Sequence, residues 1–232
     1  MENGRSGRKE WIMKRNIDMS EVSDGKLYTS RDMVRLGCED CKGCSACCHG
    51  MGDSIVLDPY DIYQLTKGLG CKFEQLLAGK IELHLVDGLI LPSLSMAGED
   101  ECCPFLDKNG RCSIHTFRPG ICRLFPLGRI YEGDSFRYFL QVHECKKQNR
   151  TKVKISKWLE IPDLRRYEAF INDWHSFLEA VEQDISEVED VEKRKQISLS
   201  LLNLFYRNPY DTDREFYMQF YERLHMLENV SA

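Results

Sequence analysis

Apolar residues recur along this chain at two different periods. From Leu164 onward, Leu164, Tyr167, Ile171, Trp174, Leu178, Val181 and Ile185 return every three or four residues, the repeat of a helix with one buried face. The pattern continues from about Val188 to Tyr206, which predicts a second helix stopped by Pro209. A third is predicted from Thr212-Asp213-Arg214-Glu215, a capping-box sequence, with Phe216, Phe220, Leu224 and Leu227 on its core face. Upstream of these helices the apolar positions shorten into strand-length runs. Ile81 to Val86 and Leu89 to Leu91 flank Asp87-Gly88, the residue pair of a tight hairpin, and Leu127 to Tyr131 and Phe136 to Leu140 flank Glu132-Gly133-Asp134-Ser135. Ser54 to Leu57 reads as a short strand. Asp58-Pro59 then opens a helix with Asp58 as N-cap and Pro59 in the first turn, and places Ile62, Leu65 and Leu69 on its core stripe. Phe73, Leu76 and Leu77 mark one more short helix, ended by Gly79.

These elements predict an α+β fold: a small, metal-organised, cysteine-rich core of short strands and hairpins, followed by a C-terminal helical segment. Residues 1–26, charged and interrupted by glycine, read as a flexible arm. Residues 27–150 read as the cysteine domain, and residues 151–232 as helices packed on it. The chain has 232 residues, of which 42% are hydrophobic, enough for a real core. Its net charge of −5 gives no general drive toward nucleic acid, and no long basic run is read that would restore one. No apolar stretch approaches the roughly 18 to 20 residues that span a bilayer, and Met1 to Asn16 lacks a hydrophobic signal core. A cytoplasmic location without membrane attachment is the expectation. Eleven cysteines in a reducing compartment are then thiols rather than disulfides.

Those cysteines change the picture most. Five fall within eleven residues, at Cys38, Cys41, Cys44, Cys47 and Cys48, and five more at Cys102, Cys103, Cys112, Cys122 and Cys145. Only Cys71 stands alone and reads as an ordinary buried thiol. Packing does not ask for five thiols in eleven residues, whereas thiolates three residues apart can be aimed by tight turns at a common metal. Four thiolates satisfy tetrahedral zinc or a [4Fe–4S] cluster with similar formal charge. A continuous C-x-x-C-x-x-C run tilts toward iron–sulfur, since zinc ribbons pair two separate knuckles. Adjacent Cys47 and Cys48 diverge, so one of them can serve a second centre. Two four-thiolate sites, or one site and a free thiol, both fit the count.

The surroundings leave roles open. His49 and His115 could replace a thiolate or be satisfied by hydrogen bonds, and His143 could support a ligand from behind. His84 and His175 show no chemical partner in the sequence. Arg118 and Arg123 flank Cys122, where a guanidinium can raise the potential of a cluster, hold an anionic substrate, or pair with Asp58, Asp61 or Glu101. No P-loop, G-x-G-x-x-G, Ser-His-Asp set or C-x-x-x-C-x-x-C radical motif is present.

Taken in order, Cys41-Lys-Gly-Cys44-Ser-Ala-Cys47-Cys48, Cys103-Pro-Phe-Leu, Gly110-Arg-Cys112-Ser-Ile-His and Arg118-Pro-Gly-Ile-Cys122-Arg-Leu-Phe-Pro resemble the YkgJ-type cysteine-cluster family, the CxxCxxCC zinc- or iron-chelating domain, over residues 27 to 150. The resemblance implies metal binding, with ligands drawn from Cys41, Cys44, Cys47, Cys48, Cys103, Cys112, Cys122 and Cys145. Cys38 and Cys102 are extra to the pattern. It implies an iron–sulfur oxidoreductase for some members and a protein lysine methylase for others, and this chain shows no separate methyl-donor motif. The leading expectation is a [4Fe–4S] cluster in a redox or cluster-dependent role, tuned or gated by Arg118 and Arg123, with a redox or protein partner. A zinc-stabilised interaction module is the alternative.

Overall fold

The computed structural model describes residues 18–37, 44–96, 98–99 and 101–228. It is α+β, with three antiparallel strand pairs and a helical C-terminal part. The first element, α1 (Met19–Val22), is one turn capped by the Asp18 carboxylate, which accepts from the Ser20 N–H at 2.9 Å. Ser23 and Tyr28 then bridge to Gln141 and Tyr138, so the described part of the expected arm is tied to the body. The remainder of that arm lies outside the described residues.

β1 (Met33–Gly37) pairs with a distant strand, β6 (Thr151–Lys154), and neither carries a sequence signal strong enough to predict it. Gly37 meets Thr151 so closely that a Cβ there would lie 2.2 Å from the threonine hydroxyl oxygen. The expected strand over residues 54–57 does not form. A 3₁₀ turn at Gly52–Ser54 leads to a single bridge between Val56 and Ser93. The Leu57 N–H donates to the Pro92 carbonyl at 2.8 Å, but Pro92 has no N–H to return the bond. The Leu57 carbonyl accepts from the Tyr206 hydroxyl at 3.1 Å instead, which draws the helical tail onto this edge.

α2 (Pro59–Leu69) starts as read. Asp58 accepts from the Asp61 N–H at 2.8 Å and Asp61 accepts from the Asp58 N–H at 3.2 Å, a reciprocal box, and Gly70 ends the helix in the left-handed conformation. Ile62 and Leu65 are buried, but Leu69 lies in the last turn and is exposed. α3 (Phe73–Leu76) buries Phe73 and Leu76 and likewise leaves Leu77 at the surface. β2 (Ile81–Val86) and β3 (Leu89–Leu94) form the first hairpin, with Asp87 and Gly88 both at positive φ as a two-residue turn of this hand requires. After α4 (Gly120–Leu124), β4 (Leu127–Glu132) and β5 (Ser135–Leu140) form the second, and Gly133-Asp134 alone makes its turn.

α5 (Ile155–Leu159) follows β6, and α6 (Leu164–Glu187) buries Tyr167, Ile171, Trp174, Leu178 and Ile185 of the predicted stripe and adds Phe170, while Leu164 and Val181 are only half-buried. α7 (Val191–Leu202) begins later than the periodicity suggests because Asp190 caps it, accepting from the Glu192 and Lys193 N–H groups at 2.9 and 3.3 Å. It runs into a π-helical turn at Asn203–Arg207 that buries Phe205 and Tyr206. α8 (Phe216–Glu228) starts at Phe216, not Thr212. The Gln219 amide takes up the preceding loop, accepting from the Asp211 N–H at 2.8 Å and donating to the Asp211 carbonyl at 2.9 Å. Phe216 and Phe220 are buried, while Leu224 and Leu227 are only half-buried.

One continuous apolar cluster runs from Val34 to Phe220 and joins the strand pairs to the helices. Phe170 is fully buried at its centre, with ring centroids 4.7 Å from Phe220, 5.4 Å from Phe216 and 6.3 Å from Tyr60. Phe170→Ala is expected to cost about 3–5 kcal/mol. Urea denaturation should show a lowered midpoint with an unchanged slope, and a loss under 1 kcal/mol, on the order of a surface change, would contradict this reading of the core.

Candidate metal centre

The cysteines reach one region through four separate local devices. Cys44 precedes a 3₁₀ turn at Ala46–Cys48, closed by the Cys48 N–H donating to the Ser45 carbonyl at 2.8 Å, which turns Cys47 and Cys48 back toward the body. The Cys103 N–H then donates to the Cys48 carbonyl at 2.8 Å and His49 bridges Cys102, so the first cysteine group is joined by backbone to the second. Between Cys103 and Cys112 the chain folds over Asp107, whose carboxylate accepts from the Asn109 N–H at 2.8 Å and the Arg111 N–H at 2.9 Å. A bridge from Leu106 to Cys112 closes that loop.

Cys122 stands on α4, and the fourth device fixes that helix from outside the cysteine motifs. The Asp61 carboxylate on α2 accepts from the Gly120 N–H at 2.7 Å. Tyr167 of α6 packs so tightly on Gly120 that a Cβ would lie 1.9 Å from its hydroxyl oxygen, so only glycine fits. Next to Cys122, Arg123 donates to the carbonyls of Arg118 at 3.1 Å, Thr116 at 2.5 Å, Glu160 at 3.2 Å and Leu159 at 3.5 Å. It staples α4 to the end of α5.

These devices surround a cavity of about 430 Å³. Cys44, Cys47, Cys48, Cys103, Cys112 and Cys122 all line it, together with Arg111, His115 and Arg118 and apolar residues that include Met51, Phe125 and Trp158. A second, smaller cavity of about 30 Å³ adjoins it, lined by Cys145, Glu144, Lys146 and Lys147 and sharing Cys44, Cys47, Phe125 and Trp158 with the first. Of the expected ligands, then, six line the larger cavity and Cys145 lines the smaller. Cys41 lies outside the described residues, as does Cys38. Among the described residues no three His, Cys, Asp or Glu side chains are arranged to hold one ion.

The electrostatics favour the neutral thiol at Cys48, Cys103, Cys112 and Cys122, and the thiolate at Cys47. Burial pushes the Cys103 and Cys112 thiols up, and Cys122, half-buried by exposure but desolvated and near the Asp61 charge, is pushed up well above the ordinary thiol value. Cys47 and Cys48 hydrogen-bond to each other, which lowers Cys47 and raises Cys48. A metal that displaces these protons would find a soft, sulfur-rich wall, so the donor set fits the chelating chemistry. Arg118 contacts His115 through Nη1 and faces Glu160 at 3.6 Å, and its buried Nε has no hydrogen-bond partner among the described residues.

Other sequence expectations resolve differently. Arg123 is not among the lining residues of either cavity and spends its donors on carbonyls. Neither Arg118 nor Arg123 pairs with Asp58, Asp61 or Glu101 among the bonds described; Glu160 is the acid at Arg118. His49 and His143 do not line the cavities, and Cys102 donates its thiol to the Cys103 carbonyl at 3.6 Å. His84 does have partners, Asp53 at 3.4 Å and Glu82 at 3.5 Å, and His175 stacks on Tyr131 with centroids 3.5 Å apart. The sequence reading misses the positioning role of Asp61, although the Asp58-x-x-Asp61 spacing of a capping box is there to be read.

The family model of the CxxCxxCC domain, described as "Putative zinc- or iron-chelating domain", matches residues 40–157, just over half of the chain. The chain belongs to the CxxCxxCC family. No curated protein and no solved structure matches it. The CxxCxxCC match begins beside Cys41 and ends beyond β6, so it takes in every cysteine that lines the two cavities. Metal binding is therefore the family's chemistry and the donor set's alike. Among the described residues no helix is long and apolar enough to cross a membrane.

Asp61 yields a pH prediction. Burial raises its carboxyl to about 6 against an ordinary value of 3.8, so the fold favours the protonated form. The stability this supplies is full below the unfolded value and is lost as pH rises through about 6, at about 1.4 kcal/mol for each pH unit between the two values. Burial and the Asp61 charge push Asp58 up as well, so the two titrate as a pair, and Asp61→Asn combined with Asp58→Asn should flatten the fall in stability across that interval relative to the wild type. Equal slopes for the two proteins in urea titrations would contradict it.

Proposed function

We propose that the chain holds an iron–sulfur cluster, a [4Fe–4S] centre, in a redox or cluster-dependent role, with ligands drawn from Cys41, Cys44, Cys47, Cys48, Cys103, Cys112, Cys122 and Cys145. The observation that carries the reading is the distribution of six thiols around a cavity of about 430 Å³. A single zinc ion draws its four sulfurs to within about 3.8 Å of one another, the edge of a tetrahedron with 2.3 Å bonds. Thiols spread around a larger volume suit a centre of several metal and sulfide atoms. Such a centre supplies one-electron transfer when bound. The chain's own residues supply the environment: Arg111 and Arg118 offset thiolate charge, while Phe125, Trp158 and Met51 keep water from the sulfurs.

The smaller cavity favours a second reading. About 30 Å³ has room for a single ion or a water-sized group, and Cys44, Cys47, Cys145 and Glu144 line it. A zinc ion there would fasten the first cysteine group to the segment before β6 and make the domain a zinc-stabilised interaction module.

Metal and sulfide analysis of anaerobically purified protein separates the two. The cluster reading expects brown protein with about four iron and four sulfide per chain, and Cys44→Ser and Cys122→Ser should each lose most of that iron. Colourless protein carrying one zinc per chain would overturn it. Full iron content in both serine variants would overturn the ligand set.

A further inference from the structure

The β1–β6 ribbon carries a charge pattern that folding does not explain. Residues 146–157 contain Lys146, Lys147, Arg150, Lys152, Lys154 and Lys157 and no Asp or Glu, in a chain whose net charge is −5. The strand register sets Arg35 directly opposite Lys152 and Met33 opposite Lys154. Val34 and Leu36 occupy the alternate positions and are buried, which turns Met33 and Arg35 to solvent. Like charges directly opposed across a strand pair repel and weaken it.

Among the described residues no acid relieves this repulsion. Asp32 is engaged locally, accepting from the Thr29 N–H at 2.7 Å and hydroxyl at 2.8 Å, and Glu160 faces Arg118. Among the described residues Arg35, Lys152, Lys154 and Lys157 have no ion-pair partner. Arg150, at the head of the ribbon, has a buried Nη1 with no hydrogen-bond partner among them either. Thr151 and Val153 line the larger cysteine cavity, and Lys152 and Lys154 alternate with them, so the cationic ladder is the outer face of a strand that walls the cavity.

We propose that this face docks an acidic protein segment, whose carboxylates pair with Arg35, Lys152 and Lys154 on the outer side of the ribbon that walls the cysteine cavity. Charge complementarity names the partner's chemistry. Exposed Met33 between the cations adds the kind of apolar contact that protein interfaces use. Duplex nucleic acid, with a phosphate every 1.7 Å or so of helix axis, would press its charge against the rest of an acidic chain, whereas a short acidic segment meets only the ladder. The inference does not depend on which metal the cysteines hold.

The test uses the full chain and a fluorescent oligo-glutamate peptide of about a dozen residues, followed by anisotropy at low salt and at about 0.15 M, where the Debye length falls to about 8 Å. Binding should weaken at the higher salt. Arg35→Glu and Lys154→Glu together should reduce affinity at least about tenfold, and Lys193→Glu on α7 should not. Arg35→Glu alone should keep or raise the melting temperature, because it replaces a repulsion to Lys152 with an attraction. Unchanged peptide affinity in the double variant would overturn the proposal. So would a lowered melting temperature in Arg35→Glu together with unchanged binding in Lys154→Glu, which would make the pair structural. Tighter binding of a duplex DNA of matched charge, lost in the same variants, would make the face a nucleic-acid site instead.

Discussion

Asp61 reaches from α2 into the start of α4 and accepts the Gly120 N–H, and the placement of Cys122 depends on that buried carboxylate. Two further contacts complete the constraint. Tyr167 leaves no room for a side chain at Gly120, and Arg123 ties the next turn to four carbonyls. The charge on Asp61 is expensive in such a place, and the buried Arg129 guanidinium, stacked over Tyr167 and Phe136 at 5.8 and 5.4 Å, lies close enough to offset part of it. A cysteine wall is thus held by residues that carry no sulfur.

The same contacts explain why the helical tail belongs to the site's support. Tyr167 and Phe170 come from α6, Tyr206 from the turn after α7, and each meets α2 or the segment just before it. The Ser198 hydroxyl on α7 accepts from the Ile90 N–H at 2.5 Å, which adds the first hairpin to this frame. Cys103 and Cys112 are then set from the opposite side by the Asp107 turn. The larger cavity is bounded by these hydrogen-bonded segments, and Cys44 and Cys47 line both it and the smaller one.

Much of this was legible in the order of residues, wherever the deciding interaction is local. The two hairpins follow from Asp87-Gly88 and from Glu132-Gly133-Asp134-Ser135, α2 from its Asp58 cap and Pro59, and α6 from a stripe of seven apolar residues of which the structure buries all but Leu164 and Val181. Boundaries drifted where a side chain of the loop competed, as Asp190 and Gln219 do at the starts of α7 and α8. The strand expected at residues 54–57 failed because its partner offers a proline, a fact about Pro92 that the segment itself cannot reveal. β1 and β6 escaped notice because their pairing spans more than a hundred residues and each is short.

By itself the sequence determined the chemistry: five clustered thiols, five more in ordered motifs, and the family to which they belong. Thiol spacing is a covalent property, so it survives without the fold. Only the tertiary structure decided that six described cysteines share one cavity, that Cys145 turns to a smaller one, and that Arg123 serves carbonyls while Arg118 faces the cysteines. Those outcomes depend on long-range hydrogen bonds and on the close approach of Tyr167 to Gly120. Such contacts exist only once distant segments are brought together by burial of a common core.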